Sequence, residues 1–322
     1  MSTRILQISD LHIGRSDTEE KNLEMIVRHI IKKGKNEWKD NKPIIMITGD
    51  IVNDGGEDQY KTAKVYLDQL GTGFTLRLIP GNHDYGKKGN LALEKGFKRF
   101  KDYFSHYHDN GMDYPYPDSI NGHCFIGLNS MQSEYGLDGI LADGELGKDQ
   151  IDETVKLINE YRETSNGKVI VYLHHHPFLY PDDLPLKRVG EAIGHWLKDG
   201  KDFMGRIKDL NINILLFGHE HRHLKFTNTV LNDKYNIPYI ISSGKGTEKS
   251  REFPVLKNGF ADGPKYKYQD FADSFDQYDY DQSERERINE ELDRIPQELY
   301  GRLIEILDDG KITVKNEVFK EV

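Results

Sequence analysis

Residues 4–12 read RILQISDLH and residues 43–50 read PIIMITGD. Each is a strand-length apolar run that stops at an aspartate. Three later runs stop in the same way: Thr75–Ile79 before Gly81-Asn82-His83-Asp84, Lys168–Leu173 before His174-His175-His176-Pro177, and Ile212–Phe217 before Gly218-His219-Glu220-His221. Apolar runs of roughly four to eight residues bounded by turn residues read as buried strands. The polar cluster at each carboxyl end matters because parallel strands gather those ends along one edge of a sheet, where α/β proteins build their sites in loops.

Between the runs lie stretches of helical period. Glu19–Trp38 puts Leu23, Ile26, Val27, Ile30 and Ile31 on one stripe, and Asp58–Leu70, Leu91–Phe104, Glu145–Tyr161 and Asp202–Leu210 read similarly. Further strands are expected at His123–Leu128 and Tyr239–Ser242. The alternation predicts an α/β fold. At the end of the chain, Gly301–Leu307 and Lys311–Phe319 flank Asp308-Asp309-Gly310, a turn that tolerates positive φ, which predicts a C-terminal β-hairpin at 301–319 on the edge of the core. Residues 106–122 and 250–300 show neither period. The second contains FADSFDQYDYDQSERER followed by a charged helical patch, Glu284–Ile295, and is expected to be an insertion or lid in one domain spanning 1–322. Its acidic, tyrosine-rich part at 262–281 reads equally as an oligomer contact, a lid or a disordered loop.

The 322 residues carry a net charge of −10, with 30% charged and 36% hydrophobic residues. That balance argues against a broad basic surface for long nucleic acid. It leaves room for a small anionic substrate, since bound cations reverse the local field. No apolar stretch approaches the roughly 20 residues of a membrane helix, and the amino terminus passes into a strand without a signal-peptide pattern. The single cysteine, Cys124, lies in an apolar run and reads as core filler. A cytoplasmic protein is expected, with no membrane partner and room for a homo-oligomer.

The five clusters share a chemistry. Carboxylate, imidazole and amide oxygen form a nitrogen and oxygen set suited to zinc, manganese or iron, without thiolate. Seven or eight such groups exceed what one tetrahedral ion needs. Glycines 49, 81 and 218 are expected to let the backbone turn off each strand toward a metal.

With its DxH, GD, GNH(D/E), histidine-before-proline and GHxH motifs in this order at strand ends, over residues 4 to about 245, the chain resembles the calcineurin-like metallophosphoesterase superfamily. The resemblance implies a four-layer α/β/β/α sandwich. It implies two divalent or mixed-valence transition-metal ions (Mn, Fe or Zn), one held by Asp10, His12 and His221, the other by Asn82, His175 and His219, with Asp50 bridging. His175 is preferred within its triplet because the family's ligand stands two residues before the proline; His174 reads equally as a strand end and His176 as a pocket wall, and a contribution of either to the site stays open. The implied reaction is in-line attack of a metal-bound hydroxide on phosphorus. His83 is similar to the family's transition-state stabiliser or leaving-group acid, with a role as orienter of a ligand or of Asp84 as the alternative.

After Asp50 the chain reads Ile51-Val52-Asn53-Asp54-Gly55-Gly56. The protein Ser/Thr phosphatases of the superfamily carry GDxxDRG, so Asn53 and Asp54 stand where an Asp and a phosphate-clamping Arg are expected. With Tyr60 following, the pattern looks like the cyclic-nucleotide and glycerophosphodiester phosphodiesterase branch. The expected function is hydrolysis of a small phosphodiester; a phosphomonoesterase or nuclease on the same site, or a non-catalytic metal-binding scaffold, are the alternatives. Tyr85, Phe178, Tyr180, Tyr135 and 106–122 are candidates to stack on a base or wall the pocket.

Overall fold

A computed structural model describes residues 2–86, 94–109, 111–131, 143–178, 197–221, 223–250 and 297–321. In chain order its first half holds β1 (Thr3–Ile8), α1 (Asp17–Lys35), β2 (Ile44–Thr48), α2 (Glu57–Gly71), β3 (Leu76–Ile79), α3 (Asn82–Tyr85), α4 (Glu94–Phe104), β4 (Tyr116–Ile120) and β5 (His123–Gly127). There follow α5 (Lys148–Thr164), β6 (Val169–Tyr172), α6 (Gly200–Ile207), β7 (Ile214–Phe217), β8 (Leu224–Phe226), α7 (Val230–Tyr235), β9 (Tyr239–Ser242), β10 (Tyr300–Ile306) and β11 (Ile312–Val318).

The strands form two sheets, ordered β11-β10-β1-β2-β3 and β4-β5-β6-β7-β9-β8. Each has a parallel set, β1-β2-β3 in one, with β10 antiparallel to β1 and β3 at the edge, and β5-β6-β7-β9 in the other, with antiparallel β4 and β8 on its two sides. Parallel strands covered on both sides carry apolar residues at every position, and the period of two then sorts them between two cores. In β2, Ile44 and Met46 enter a core between the sheets while Ile45 and Ile47 enter a core under the helices. In β6, Ile170 and Tyr172 face the other sheet and Val169 and Val171 face the helices. Three cores separate four layers. Helix α1 covers the first sheet with Leu23, Ile26, Val27 and Ile30, and α5 and α6 cover the second with Ile151, Ile158, Phe203, Met204 and Ile207. The fold is the α/β/β/α sandwich.

Helix ends differ from the expected ones for local reasons. Helix α5 starts at Lys148 rather than Glu145, because Gly147 sits at φ +77° and the Asp199 carboxylate accepts the amides of Leu146 and Gly147. Helix α1 ends at Lys35, and Trp38 folds back, its amide bonded to Lys33 O. The stretch 106–122 contains strand β4, joined to β5 by Asn121 and Gly122 at φ +52° and +75°. Both values are what a two-residue hairpin turn requires, so Asn-Gly carried the signal. β10 and β11 pair through the Asp308-Asp309-Gly310 turn, and β10 lies antiparallel to β1. Residues 251–296, which hold most of the expected insertion, lie outside the described residues, as do Tyr135 and Tyr180. Among the described residues no helix is long and apolar enough to cross a membrane. Cys124 is buried, and burial pushes its thiol up to about 11.

One buried group makes the fold acid-sensitive. His108 packs edge-on against Tyr116, and its Nε2 accepts the Leu78 amide. Burial, aided by the neighbouring Arg77 guanidinium, lowers its pKa to about 3. Below its ordinary value of roughly 6.5 the unfolded chain takes up a proton at residue 108 that the native state refuses until about 3, so stability falls as pH falls through that window. From pH 6.5 to 5 the loss from this group is about 2 kcal/mol. His108→Gln should therefore lose several degrees less in melting temperature than the parent between pH 7 and 5. Parallel pH dependence of the two proteins by calorimetry would refute the assignment.

Candidate metal centre

The loops that follow β1 and β2 stay zipped beyond the strands. Asp10 N donates to Gly49 O, His12 N to Asp50 O, and Ile13 N to Ile51 O, each at 3.0 Å, and Asn53 N donates to Ile13 O at 3.1 Å. This second ladder holds backbone that L-residues avoid. Asp10, His12, Asp50, His219 and His221 have φ of +52°, +45°, +51°, +71° and +54°. The other described non-glycine residues with positive φ are all asparagines, the residue that tolerates this region best after glycine. Such strain is of order 1–3 kcal/mol per residue and persists where surroundings over-determine it, commonly at functional sites.

The third loop is tied to the second by Asp84. Its Oδ1 accepts Val52 N and its Oδ2 accepts Gly81 N, both at 2.9 Å, while Tyr60 Oη donates to Asp84 O. Burial, with the charge of Asp50, raises the Asp84 carboxyl to about 7. Tyr60 is thus a buried tie rather than a substrate contact. His83 N donates to Asp50 Oδ1 at 2.9 Å, and His83 Nδ1 lies 2.7 Å from Asn53 O.

The two sheets meet at the same edge. Ser9 Oγ and His174 Nδ1 both donate to Thr48 O, at 3.0 and 2.7 Å. Gln7 Nε2 reaches Phe217 O, Gly218 N donates to His174 O, and the Asp10 carboxylate accepts His219 N.

Two groups of donor atoms result. In the first, His12 Nε2 lies 2.9 Å from His221 Nε2, His221 Nε2 lies 3.5 Å from Asp10 Oδ1, and His12 Nε2 lies 3.8 Å from Asp50 Oδ2. In the second, His174 Nε2 lies 3.1 Å from Asn82 Oδ1, 3.2 Å from His219 Nδ1 and 3.3 Å from Asp50 Oδ2. Asp10, His12, Asp50 and His221 each offer an atom within 4.8 Å of the others, and so do His174, His175 and His219. Ligands about 2.0–2.2 Å from one ion lie at most about twice that distance apart, and the contacts of 2.9 to 3.8 Å in the first group and 3.1 to 3.3 Å in the second fall inside that span. The donor set of imidazole, carboxylate and amide oxygen suits a first-row transition metal.

His175 is the expected ligand of the triplet, and it lies in the second group; His174 lies there too, its ring reaching Asn82 and Asp50. Its Nδ1–H is committed to Thr48 O, so in the neutral ring Nε2 presents a lone pair to the cluster, the usual arrangement of a metal-binding imidazole. His175 enters the same group, its Nδ1 likewise engaged, by Ser130 Oγ at 2.7 Å. His176 Nδ1 lies 3.1 Å from Glu220 Oε1.

Charge follows the same geometry. Burial would push the Asp50 carboxyl up, but the imidazoles of His174, His83 and His12 outweigh it and hold Asp50 well below the carboxylate range. Burial opposes protonation of His174, yet the Asp50 charge and their hydrogen bond raise it to about 9. Burial raises Asp10 to about 7 and lowers His12 and His219 well below their ordinary value.

Two expected pocket aromatics are packing residues. Tyr85 is 1% exposed, stacks on Phe97 and pairs with Asn129, and Phe178 lies among Phe217, Phe226 and Tyr235. Sequence reasoning missed residues 243–248, which lie against the β1 loop: Gly246 N donates to Ser9 O and Thr247 Oγ1 to Leu11 O.

The model of a family described as calcineurin-like phosphoesterase matches residues 3–223. A curated relative from Moraxella catarrhalis (strain BBH18), named probable cyclic nucleotide phosphodiesterase, is 25% identical over 230 residues, 68% of this chain and 71% of its own. Among solved structures, the purple acid phosphatase PPD1 from yellow lupin (Lupinus luteus) seeds superposes with a TM-score of 0.61 at 11% identity, covering all of this chain and 53% of its own. The chain thus spans about half the length of that phosphatase, and the likeness is one of fold.

The glycines beside the clusters are required by close approach as much as by turning. Gly49 has φ +94°, but Gly218 does not need positive φ; a Cβ there would overlap Ser9 Oγ and lie 2.7 Å from Asp10 Oδ2 and 2.9 Å from Thr48 O. Gly218→Ala should destabilise by about 1–3 kcal/mol through overpacking and weaken metal uptake. Gly205→Ala, where nothing lies within 4 Å on α6, should be neutral or stabilising by up to about 1 kcal/mol. Urea denaturation of the pair checks this, and equal effects would contradict it.

Proposed function

This chain belongs to the calcineurin-like phosphoesterase family, and from that membership we propose that it hydrolyses a small phosphodiester, a cyclic nucleotide or a glycerophosphodiester, at a two-metal centre. The observation that carries the reading is Asp50 Oδ2, which faces His12 Nε2 at 3.8 Å on one side and His174 Nε2 at 3.3 Å on the other. A single carboxylate oxygen directed at both donor groups is what a shared ligand needs. Asp10, His12 and His221 hold one ion. Asn82, His174 and His219 would hold the other, His174 being preferred to His175 because its Nε2 lies 3.1, 3.2 and 3.3 Å from Asn82 Oδ1, His219 Nδ1 and Asp50 Oδ2.

Two such ions, of manganese, iron or zinc, supply Lewis acidity to phosphoryl oxygens and acidify water. The chain's own residues do the rest. Asn53 O fixes His83 through Nδ1, which leaves Nε2 to give or take a proton at an ester oxygen. His221, with 41% of its side chain exposed, marks the open side of the site. The diester preference is supported by Asn53 and Asp54 in place of an Asp-Arg pair, which leaves a dianionic phosphoryl group without its guanidinium clamp. The name of the Moraxella relative agrees with it.

Manganese loading should yield two ions per chain and turnover of bis(p-nitrophenyl) phosphate in excess of p-nitrophenyl phosphate. Fewer than two ions and no diester hydrolysis would sink the reading. Asp50→Asn should lower kcat on the order of 10³-fold, the several kcal/mol that ions contribute to the transition state.

The histidine assignment has its own test. His174→Ala should lose one of the two ions, whereas His175→Ala should retain both, with affinity weakened at most about 10–100-fold as for a supporting residue. The opposite pattern, read by metal analysis after gel filtration, would restore His175 as the ligand.

A further inference from the structure

Lys245 lies past the region matched by the family and is 3% exposed. Lysine is almost never buried unless paired, since removing an ammonium from water is expensive even when a carboxylate compensates. Here Lys245 Nζ meets Glu19 Oε1 at 2.6 Å and Glu248 Oε2 at 2.8 Å. Glu248 is largely exposed, with 62% of its side chain open, so the buried partner is Glu19, whose Oε2 also accepts Ser16 Oγ.

The position of this pair gives it a task. Lys245 forms a parallel bridge with Ser9, the residue before Asp10, while Glu19 lies in the first turn of α1, the element that follows His12. Three more bonds run the same way: Gly246 N to Ser9 O at 2.8 Å, Thr247 Oγ1 to Leu11 O at 2.9 Å, and Asn22 Nδ2 to Thr247 O at 2.8 Å. Residues 245–247 therefore grip the Asp10–His12 loop at its start, its middle and the helix beyond it. That loop carries two residues at positive φ, Asp10 and His12. A strained conformation lasts only where its surroundings leave no alternative, and a side chain held about 1 Å off its productive position is enough to spoil a site.

We propose that Lys245 is a positioning residue for the first metal site, acting through Glu19 and the 245–247 strap to hold Asp10 and His12 in their strained, metal-ready conformation. The inference rests on the two-ion reading above. It predicts that the ion pair matters more to the first ion than to the second, because Asn82, His174 and His219 follow β3, β6 and β7 and the strap reaches them only through the Asp10 carboxylate that accepts His219 N.

The test uses the full chain with Lys245→Met, which keeps the stem and removes the charge, Lys245→Arg, and Glu19→Gln. Mn²⁺ titration by calorimetry, with bound Mn²⁺ counted by electron paramagnetic resonance, should show two ions on the parent. Lys245→Met and Glu19→Gln should each bind one ion about tenfold to a hundredfold more weakly and the other with a clearly smaller loss. Lys245→Arg should recover most of that loss. Hydrogen exchange of the metal-free proteins should be faster at the His12 and Ile13 amides in both uncharged variants, and unchanged in β5 and β6. If Lys245→Met fails to fold, Glu19→Gln decides. Parental affinity for both ions together with unchanged exchange at residues 12 and 13 would overturn the proposal. A parent that itself binds fewer than two ions would overturn the two-ion reading, while the exchange comparison would still decide whether the strap holds the loop.

Discussion

Asp50 Oδ2 can face two groups of donors only if the carboxyl edges of two separate sheets come within a few ångströms of each other. Much of the rest of the molecule serves that approach. Thr48 O accepts hydrogen bonds from both sides of the seam, Ser9 on its own sheet and His174 on the other. Gly218 leaves no room for a Cβ because Ser9, Asp10 and Thr48 occupy the space, and Gly81 is confined in the same way by Asp50 and His174. The positive φ values at Asp10, His12, Asp50, His219 and His221 are the backbone's share of the same constraint, since a chain leaving a strand in the ordinary direction carries its side chain away from the seam. The extra ladder between residues 10–13 and 49–53 offsets that strain with hydrogen bonds.

Crowding so many ionisable groups into a dry seam is tolerated because their charges oppose. Asp50 stays ionised among three imidazoles, and His174 is held charged by Asp50 although burial disfavours it. Asp10, with less compensation, is pushed toward the neutral form, and His12 and His219 are kept neutral. A buried ion pair of this kind adds little stability and is sensitive to loss of one partner.

Much of this was legible in the sequence. The central strands declared themselves because both of their faces are buried, so they read as unbroken apolar runs such as Ile44–Thr48, and the polar residue ending each run was also the residue at the seam. The pleat also separates the three consecutive histidines. Ile170 and Tyr172 face the opposite sheet, and a period of two carries that face on to His174, whereas His175 shares the parity of Val171 and Leu173 on the helix side. Strand β4 hid because its burial alternates with proline and aspartate, although the Asn121-Gly122 turn marked its end. The strap at 243–248 had no local signal at all, since its meaning lies in what Ser9, Leu11 and Glu19 do in three dimensions.

The same distinction explains why Asn53 can stand where the phosphatase pattern has aspartate. His83 is oriented through Nδ1 by the main-chain carbonyl of residue 53, not by a side chain. That carbonyl is fixed by the ladder that also fixes Asp50, for Asn53 N is bonded to Ile13 O. The imidazole therefore keeps its orientation whatever side chain position 53 carries. What changes with the side chains of 53 and 54 is the local charge, and the Asp54 carboxylate is engaged by Gln59 Nε2. The orientation of His83 is thus set by backbone at a strand end rather than by the side chains of the loop that follows.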